Sequence, residues 1–535
     1  MWRSLLASCS LTLVLAACTS GEQSVRATGL VYCSEGSPDS FNPQLSTSGT
    51  SYDASAHTLY DRLVNLDPDT GEALPALAES WKVSRDGTRW RFKLRRNVAF
   101  HQTAWFKPSR FLNTDDVLFS FERQWHDQHP FHQVSGGAYS YFHNSGLARL
   151  LAAIIKRSDH EIEFQLTERN ATFLAMLSME FASIQSAEYA TAVRLQGRPS
   201  DLDQMPVGTG PFKFVRYEPG TFIRYEAHPD YYAGAAKIKR LVFAITPDAS
   251  LRLSRLRAGE CDVMAQPSPA HLALIRQNNK LKLYSQPGLN VSYWAFNTTR
   301  PPLDDVRVRH ALNYAVNRSA ILDAVYFGAG ELAKSPVPPT VVGHDRHLPD
   351  FHHDADRARA LLREAGYGAG FKLDVWAMPV SRPYNPNARK MAELIQDDLR
   401  QVGVNVRIVS YEWRDFLRRL RQGEHDSVLL GWSGDLSDAD NFLNPLLSCD
   451  ALQSGSNRAF WCNEQFDALL KAARETHDAA TRDSLYADAQ RLFKQQAPWL
   501  TIAHSTQYLA ARHNIRGLRQ MTNGGVYFQY AERQP

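Results

Sequence analysis

The chain of 535 residues is longer than one hydrophobic core usually sustains, so two or three lobes sharing the sequence are expected and a single small domain is excluded. With 44% hydrophobic, 11% aromatic and 22% charged residues the composition is that of a folded soluble protein, which excludes wholesale disorder. A formal charge of +4, from 60 basic and 56 acidic residues, gives no field that would gather nucleic acid, and no nucleic-acid partner is expected.

The first eighteen residues read as an export signal. Arg3 precedes an apolar run from Leu5 to Leu15, too short for a membrane-spanning helix, and Leu15-Ala16-Ala17-Cys18 follows. Small residues before a cysteine have the pattern of a bacterial lipobox, so residues 1–17 are assigned as a lipoprotein signal peptide and Cys18 as the lipidated first residue of the mature chain. The expected location is periplasmic, with the body tethered to a membrane through Cys18.

A strand over Gly29 to Cys33 runs on towards Thr47-Ser48-Gly49-Thr50, small residues whose backbone can approach a ligand closely. In Trp90-Arg91-Phe92-Lys93-Leu94-Arg95 apolar and basic residues alternate, the period of a strand with one face on a core and its cations in solvent. His126, His129 and His132 have metal-like spacing, but Pro130 interrupts the helix that would stack them. His344, His347, His352 and His353 stand among Asp345, Asp350 and Asp354, enough donors for a transition metal. Pro349 and the position before a helix favour a solvated loop, so these four remain weak candidates and no metal site or cofactor is assigned.

The C-terminal half alternates helix and strand. Asp356 to Glu364 is helical and stops at Gly366; Phe371 to Ala377 is a strand; Asn387 to Gln401 is helical and stops at Gly403; Val404 to Ser410 is a strand. Such an order predicts an α/β sheet with helices on both faces, whose ligand sites gather at the carboxyl ends of the strands. Two loops are then singled out: Met378 to Pro386 after the first strand, and Gly431-Trp432-Ser433-Gly434-Asp435 after the strand Ser427 to Leu430. Setting aside Cys9 and Cys18, an even set remains, Cys33, Cys261, Cys449 and Cys462, in a compartment where disulfides persist, and three pairings are possible. Cys449 and Cys462 bracket a Ser/Gly/Asn-rich loop whose closure would remove on the order of 3 kcal/mol of unfolded-chain freedom.

Arg382 and Asp435 sit at comparable strand ends. A guanidinium grips a carboxylate through two parallel hydrogen bonds and a carboxylate accepts from an ammonium, so the pair matches the two ends of a short zwitterionic peptide. A water-poor cleft holding both rejects ligands that lack either terminus.

Four stretches carry a resemblance: Val31-Tyr32-Cys33-Ser34-Glu35-Gly36-Ser37-Pro38; Leu77-Ala78-Glu79-Ser80-Trp81; Pro206-Val207-Gly208-Thr209-Gly210-Pro211-Phe212; and Trp376 to Arg389 around Arg382. In order, and joined by Pro302-Leu303-Asp304-Asp305-Val306-Arg307, they resemble the bacterial dipeptide-binding proteins from about Leu30 to His504. The resemblance implies a periplasmic-binding-protein fold of cluster C type: two lobes closing at a hinge, with an additional third domain. It implies lobe I at 28–60, 210–286 and 506–535, the additional domain at 61–209, and lobe II at 287–505. Asp435 would hold the ligand α-amino group and Arg382 its α-carboxylate; Thr47, Ser48, Gly49, Thr50, Met378, Tyr384, Trp432 and Gly434 would line the pocket. It pairs Cys33 with Cys261 and Cys449 with Cys462. One departure bears on ligand preference: where such proteins typically read Gly-Asp-Asn-Gly-Asp-Pro-Asp-Asn, this chain has Gly434-Asp435-Leu436-Ser437-Asp438-Ala439-Asp440-Asn441.

The implied partners are a short peptide and the permease subunits of an ABC importer with their cytoplasmic ATPases, met by a monomer. Haem, metal chelates and antimicrobial peptides are the rival ligands within the same fold. An extracytoplasmic peptidase is the rival class, against which stands the lack of a G-x-S-x-G elbow, an H-E-x-x-H pair or a phosphate loop.

Overall fold

Fourteen consecutive residues, Trp499–Arg512, form the strand on which the architecture turns. At about 3.3 Å per residue it spans roughly 46 Å, long enough to serve two regions of sheet. Its first residues pair with Asn290–Phe296, Trp499 lying opposite Ala295; its last pair with Val263–Ala265 and Leu281–Pro287. The strand is buried almost throughout, as expected where both faces are covered. This computed structural model describes residues 29–46, 48–67, 72–434, 436–454, 456–476, 478–521 and 525–534, so the export segment with Cys18, and also Thr47 and Asp435, lie outside the described residues.

From that strand the sheet order runs one way through Asn290–Phe296, Ser427–Ser433, Phe371–Ala377 and Val404–Val409. The other way it runs through Val263–Ala265, Gly29–Ser34, Arg240–Ile245, Phe222–Ala227 and Phe212–Glu218. Phe371–Ala377 is parallel to both Val404–Val409 and Ser427–Ser433, so the carboxyl ends of all three open on one rim. Asn290–Phe296 is antiparallel to Ser427–Ser433, which makes the sheet mixed.

The helices expected here start at side-chain caps. Asp354 caps Ala355–Glu364 by accepting from the Arg357 N–H at 2.8 Å, and Asn387 caps Ala388–Arg400 by accepting from the Lys390 N–H at 3.0 Å. Gly403 has a φ of +87°, and the strand it opens lies so close to Gly370 that a Cβ on Gly370 would stand 2.0 Å from the Gly403 carbonyl oxygen.

A separate antiparallel sheet of Ala78–Val83, Arg89–Leu94, Glu161–Leu166 and Leu151–Ser158 stands apart. Trp90, Phe92 and Leu94 are buried while Arg89, Arg91 and Lys93 are exposed, and Arg91 and Lys93 pair with Glu163 and Glu79. Three large buried clusters divide the described residues: one from Leu289 to Ala503, one from Leu63 to Val207, and one gathered from Leu30 to Tyr60, Phe212 to Ala265 and Leu509 to Ala531. Disulfides join Cys33 to Cys261 and Cys449 to Cys462. Among the described residues no helix is long and apolar enough to cross a membrane.

Two local expectations are corrected. Gly431, Trp432 and Ser433 are not loop but the end of the Ser427–Ser433 strand, because Ser292, Val291 and Asn290 continue the ladder opposite them. Gly49 and Thr50 are not loop either: with Ser48 as N-cap they open the helix Gly49–Ala54.

Candidate functional site

A tight turn carries the cationic side chain singled out from the sequence. The Arg382 N–H donates to the Asn385 carbonyl at 3.1 Å and the Asn385 N–H returns to the Arg382 carbonyl at 3.0 Å. The Tyr384 carbonyl accepts from the Tyr326 hydroxyl at 2.7 Å, and the Tyr384 ring lies against Gly431, where a Cβ would come within 2.2 Å of it. The turn is thereby held on the carboxyl rim of the parallel strands. The Arg382 side chain is exposed, with its guanidinium carbon 5.8 Å from the centre of the Trp413 ring, and among the described residues it has no carboxylate partner. Burial pushes the Tyr384 phenol up, against the pull of the Arg382 guanidinium.

This turn faces a cavity of about 740 Å³, within the size range of small-ligand sites. Its wall draws on Ser48, Gly49 and Thr50, on Met176 and Met179 from the second core, and on Tyr293, Tyr384, Trp413 and Trp432 from the first. Arg382, Tyr384, Trp432, Ser48, Gly49 and Thr50 are therefore brought together from sites far apart in the chain. Met378 is not on this wall: it is 3% exposed within the first core, because it continues the inward face of its strand. Gly434 is not on it either; its N–H donates to the Leu289 carbonyl at 2.7 Å, and a Cβ there would strike the Phe442 ring. Leu436, at the departure from the familiar motif, is 6% exposed and packs with the second core.

The cavity wall also includes Glu35, Asp53 and His57, an acidic cluster that the sequence did not reveal and that Glu180 joins through His57. Glu35 accepts from the Thr50 hydroxyl at 2.6 Å, and burial followed by the Asp53 charge raises its carboxyl above the ordinary range. Asp53 accepts from the Tyr32 hydroxyl and the Val526 N–H, both at 3.1 Å. His57 lies between two carboxylates, Nδ1 3.4 Å from Asp53 and Nε2 3.0 Å from Glu180, with the Tyr527 ring 5.3 Å away. Asp53 and His57 are four apart on one segment, a weak signal; Glu180 is 123 residues on, which no local pattern reveals. Burial opposes protonation of His57, but the hydrogen bonds to Asp53 and Glu180 outweigh it and hold the imidazole above its ordinary 6.5. For Glu180 burial is likewise outweighed, by His57 and then Arg62, and its carboxyl sits below 4.5.

The signs fix a pH window. A raised histidine stabilises fully below 6.5 and loses that contribution as pH climbs through its folded value, while the lowered Glu180 contributes fully above 4.5 and fades as pH drops through its own. The unliganded protein is expected to melt at falling temperature as pH is raised above 6.5 through the folded value of His57. His57→Gln should flatten that slope; equal slopes in calorimetric scans of the two proteins would refute the assignment.

Of the histidine candidates for metal, His344 and the neighbouring carboxylates are otherwise engaged. His344 Nδ1 meets the Val337 carbonyl at 2.8 Å, Asp345 pairs with Arg491, and Asp350 pairs with both Arg318 and Lys494. Among the described residues no three His, Cys, Asp or Glu side chains, His347, His352 and His353 included, gather to hold a metal. One further wall residue, Arg458, went unnoticed, although the Ser/Gly/Asn-rich loop that carries it between Cys449 and Cys462 had drawn attention.

Comparison with known proteins places the geometry in context. The profile of bacterial extracellular solute-binding proteins, family 5 Middle, matches residues 72–454. The dipeptide-binding protein of Escherichia coli (strain K12) is 50% identical over 494 residues, 92% of either chain. A dipeptide-binding protein of Pseudoalteromonas sp. SM9913, solved in complex with Met-Leu, superimposes with a TM-score of 0.88 at 43% identity, over 94% of this chain and 100% of its own. An ABC transporter-associated periplasmic binding protein of Helicobacter pylori, in complex with the peptide STSA, gives 0.85 at 32% identity, over 95% and 98%.

Proposed function

We propose, for a chain that belongs to the bacterial extracellular solute-binding proteins of family 5, a capture role: it binds dipeptides and other short peptides outside the cytoplasm and delivers them to the permease of an ABC importer. The observation that carries this reading is the cavity itself, whose wall holds both the Arg382 guanidinium, without a carboxylate partner among the described residues, and buried acidic groups. Arg382 takes the ligand α-carboxylate and Asp435 its α-amino group. Ser48, Thr50, Tyr384 and Trp432 form the surrounding wall, and side chains of the peptide fill the remaining volume.

Capture works by closure. Lobe I (28–60, 210–286, 506–535) and lobe II (287–505) approach over the ligand, with 61–209 as the additional domain; apart from Leu436, which packs with the second cluster, the three buried clusters fall on the same segments, which supports the division. Neither disulfide crosses between the lobes so defined, so closure stays free to report occupancy. The closed monomer docks on the permease, whose ATPases drive transport, and lipid on Cys18 keeps it at the membrane. No covalent chemistry is assigned: peptide leaves unchanged.

A melting experiment with Ala-Ala tests this. Ligand at a hundred times its dissociation constant should stabilise the fold by about 2.7 kcal/mol through mass action, and the peptide should be recovered intact at one molecule per chain. No shift with any di-, tri- or tetrapeptide, or hydrolysis of excess peptide, would sink the reading.

A further inference from the structure

Among the described residues, Arg458 presents a charge with no anionic partner. Its backbone is fixed: the Arg458 carbonyl accepts from His425 Nε2 at 2.8 Å, the Ala459 carbonyl accepts from the Thr298 N–H at 2.8 Å, and the Asn457 amide donates to the Ser448 and Trp461 carbonyls at 3.2 and 2.7 Å. The Cys449–Cys462 disulfide closes the same loop. The side chain lines the cavity, yet its Nη1 is shielded from solvent without a hydrogen-bond partner, and among the described residues Arg458 makes no ion pair. The nearby cavity acids are already compensated, Asp438 by Arg482 at 2.7 Å and Asp440 by Arg474 at 3.0 Å. Burial, reinforced by the charge of Arg421, lowers the Arg458 guanidinium to about 10, so it is still a cation at neutral pH.

A second orphan stands on the same wall. Tyr293 lies opposite Leu430 and Val291 opposite Trp432, so Tyr293 and Trp432 project from one face of the sheet into the cavity. Trp432 Nε1 is buried and has no acceptor among the described residues. Two unsatisfied donors, one of them charged, are costly to bury in an empty protein and are complemented by one kind of group, an acceptor-rich anion.

We infer that Arg458 is a second anion anchor of the cleft, taking a ligand carboxylate that Arg382 does not. The inference rests on the peptide reading above. That carboxylate is an acidic side chain of a dipeptide or, in a longer peptide, the C-terminus itself, bound at Arg458 in place of Arg382, and the same guanidinium fork suits either.

Calorimetry on the purified protein separates the sources. In one arm Ala-Glu and Glu-Ala are compared with Ala-Gln and Gln-Ala; in the other Ala-Ala-Ala is compared with its C-terminal amide. In wild type the acid of at least one pair should bind about tenfold more tightly than its amide. That ratio should collapse towards one in Arg458→Met and be restored in part by Arg458→Lys. Collapse in the first arm assigns the anchor to acidic side chains, and in the second to the terminus of a longer peptide. Equal ratios in wild type and Arg458→Met in both arms overturn the inference. Arg458→Met removes a lone buried charge, so it should melt no lower than wild type, and Arg458→Lys provides a second folded variant. A glutarate titration needs no peptide: it should raise the melting temperature of wild type and not of Arg458→Met. A protein that binds no peptide therefore refutes the transport reading, while the glutarate result decides this one.

Discussion

Dipeptide affinity should fall by about 2 to 5 kcal/mol, roughly thirtyfold to several thousandfold, when Arg382 is replaced by Ala. Closure would take the ligand carboxylate out of water, and without the guanidinium that charge is desolvated with no partner, which is where most of the cost arises. Before binding, Arg382 is exposed, its backbone fixed by the reciprocal hydrogen bonds with Asn385 and its side chain free of any carboxylate among the described residues. The melting temperature of the ligand-free variant should therefore match wild type, because surface substitutions away from buried features usually change stability by less than about 0.5 kcal/mol. Asp435→Ala should weaken binding over the same range through the ligand ammonium. Calorimetry with Ala-Ala on both variants decides: affinities like wild type would remove these residues from the site. A lower melting temperature together with weaker binding would point to damage of the fold.

The half of the site built from local pattern was legible, and the half built from distant segments was not. Asn387, Gly366 and Gly403 announced helix ends, so the strands between them and the rim carrying Arg382 could be read directly. What failed was where partners decide. Trp432 and Ser433 look like loop beside Gly434, yet Asn290 and Val291 extend the ladder across from them. Met378 follows its strand in sequence and continues into its core. The Glu35, Asp53, His57 and Glu180 wall joins a helix near the start of the chain to a turn beside the four-stranded sheet, and the orphan state of Arg458 is a property of its surroundings. Neither burial nor the lack of a partner is written in a residue's neighbours along the chain.

Asp203→Ala should destabilise the region around the second core by about 3 to 5 kcal/mol, the cost of leaving a buried charge uncompensated. Arg123 is fully buried, and its guanidinium is bound on every side: Nε to the Phe131 carbonyl at 3.2 Å and the Tyr139 hydroxyl at 3.0 Å, Nη1 to Gln185 Oε1 and Asp203 Oδ1, both at 2.9 Å, and Nη2 to Asp203 Oδ2 at 2.9 Å. Burial disfavours the cation, and the Asp203 carboxylate more than offsets this, holding the guanidinium above its ordinary value. Asp203 also accepts from Asn42 at 2.8 Å, and Gln185 donates to Asn42 at 2.7 Å. The pair therefore helps to pin the segment that leads to the cavity residues Ser48 and Thr50 against the helix Thr114–Trp125, to whose Ser120 carbonyl Gln44 also donates at 2.9 Å. Hydrogen exchange of the amides from Phe131 to Val207 should show the loss directly, and peptide binding should weaken with it as the wall loosens. Asp203→Asn, which keeps the shape and removes the charge, should fall between wild type and Asp203→Ala. A loss below about 1 kcal/mol in Asp203→Ala would mean that water or rearranged side chains reach Arg123, and that the wall near Ser48 is held by the surrounding apolar packing instead.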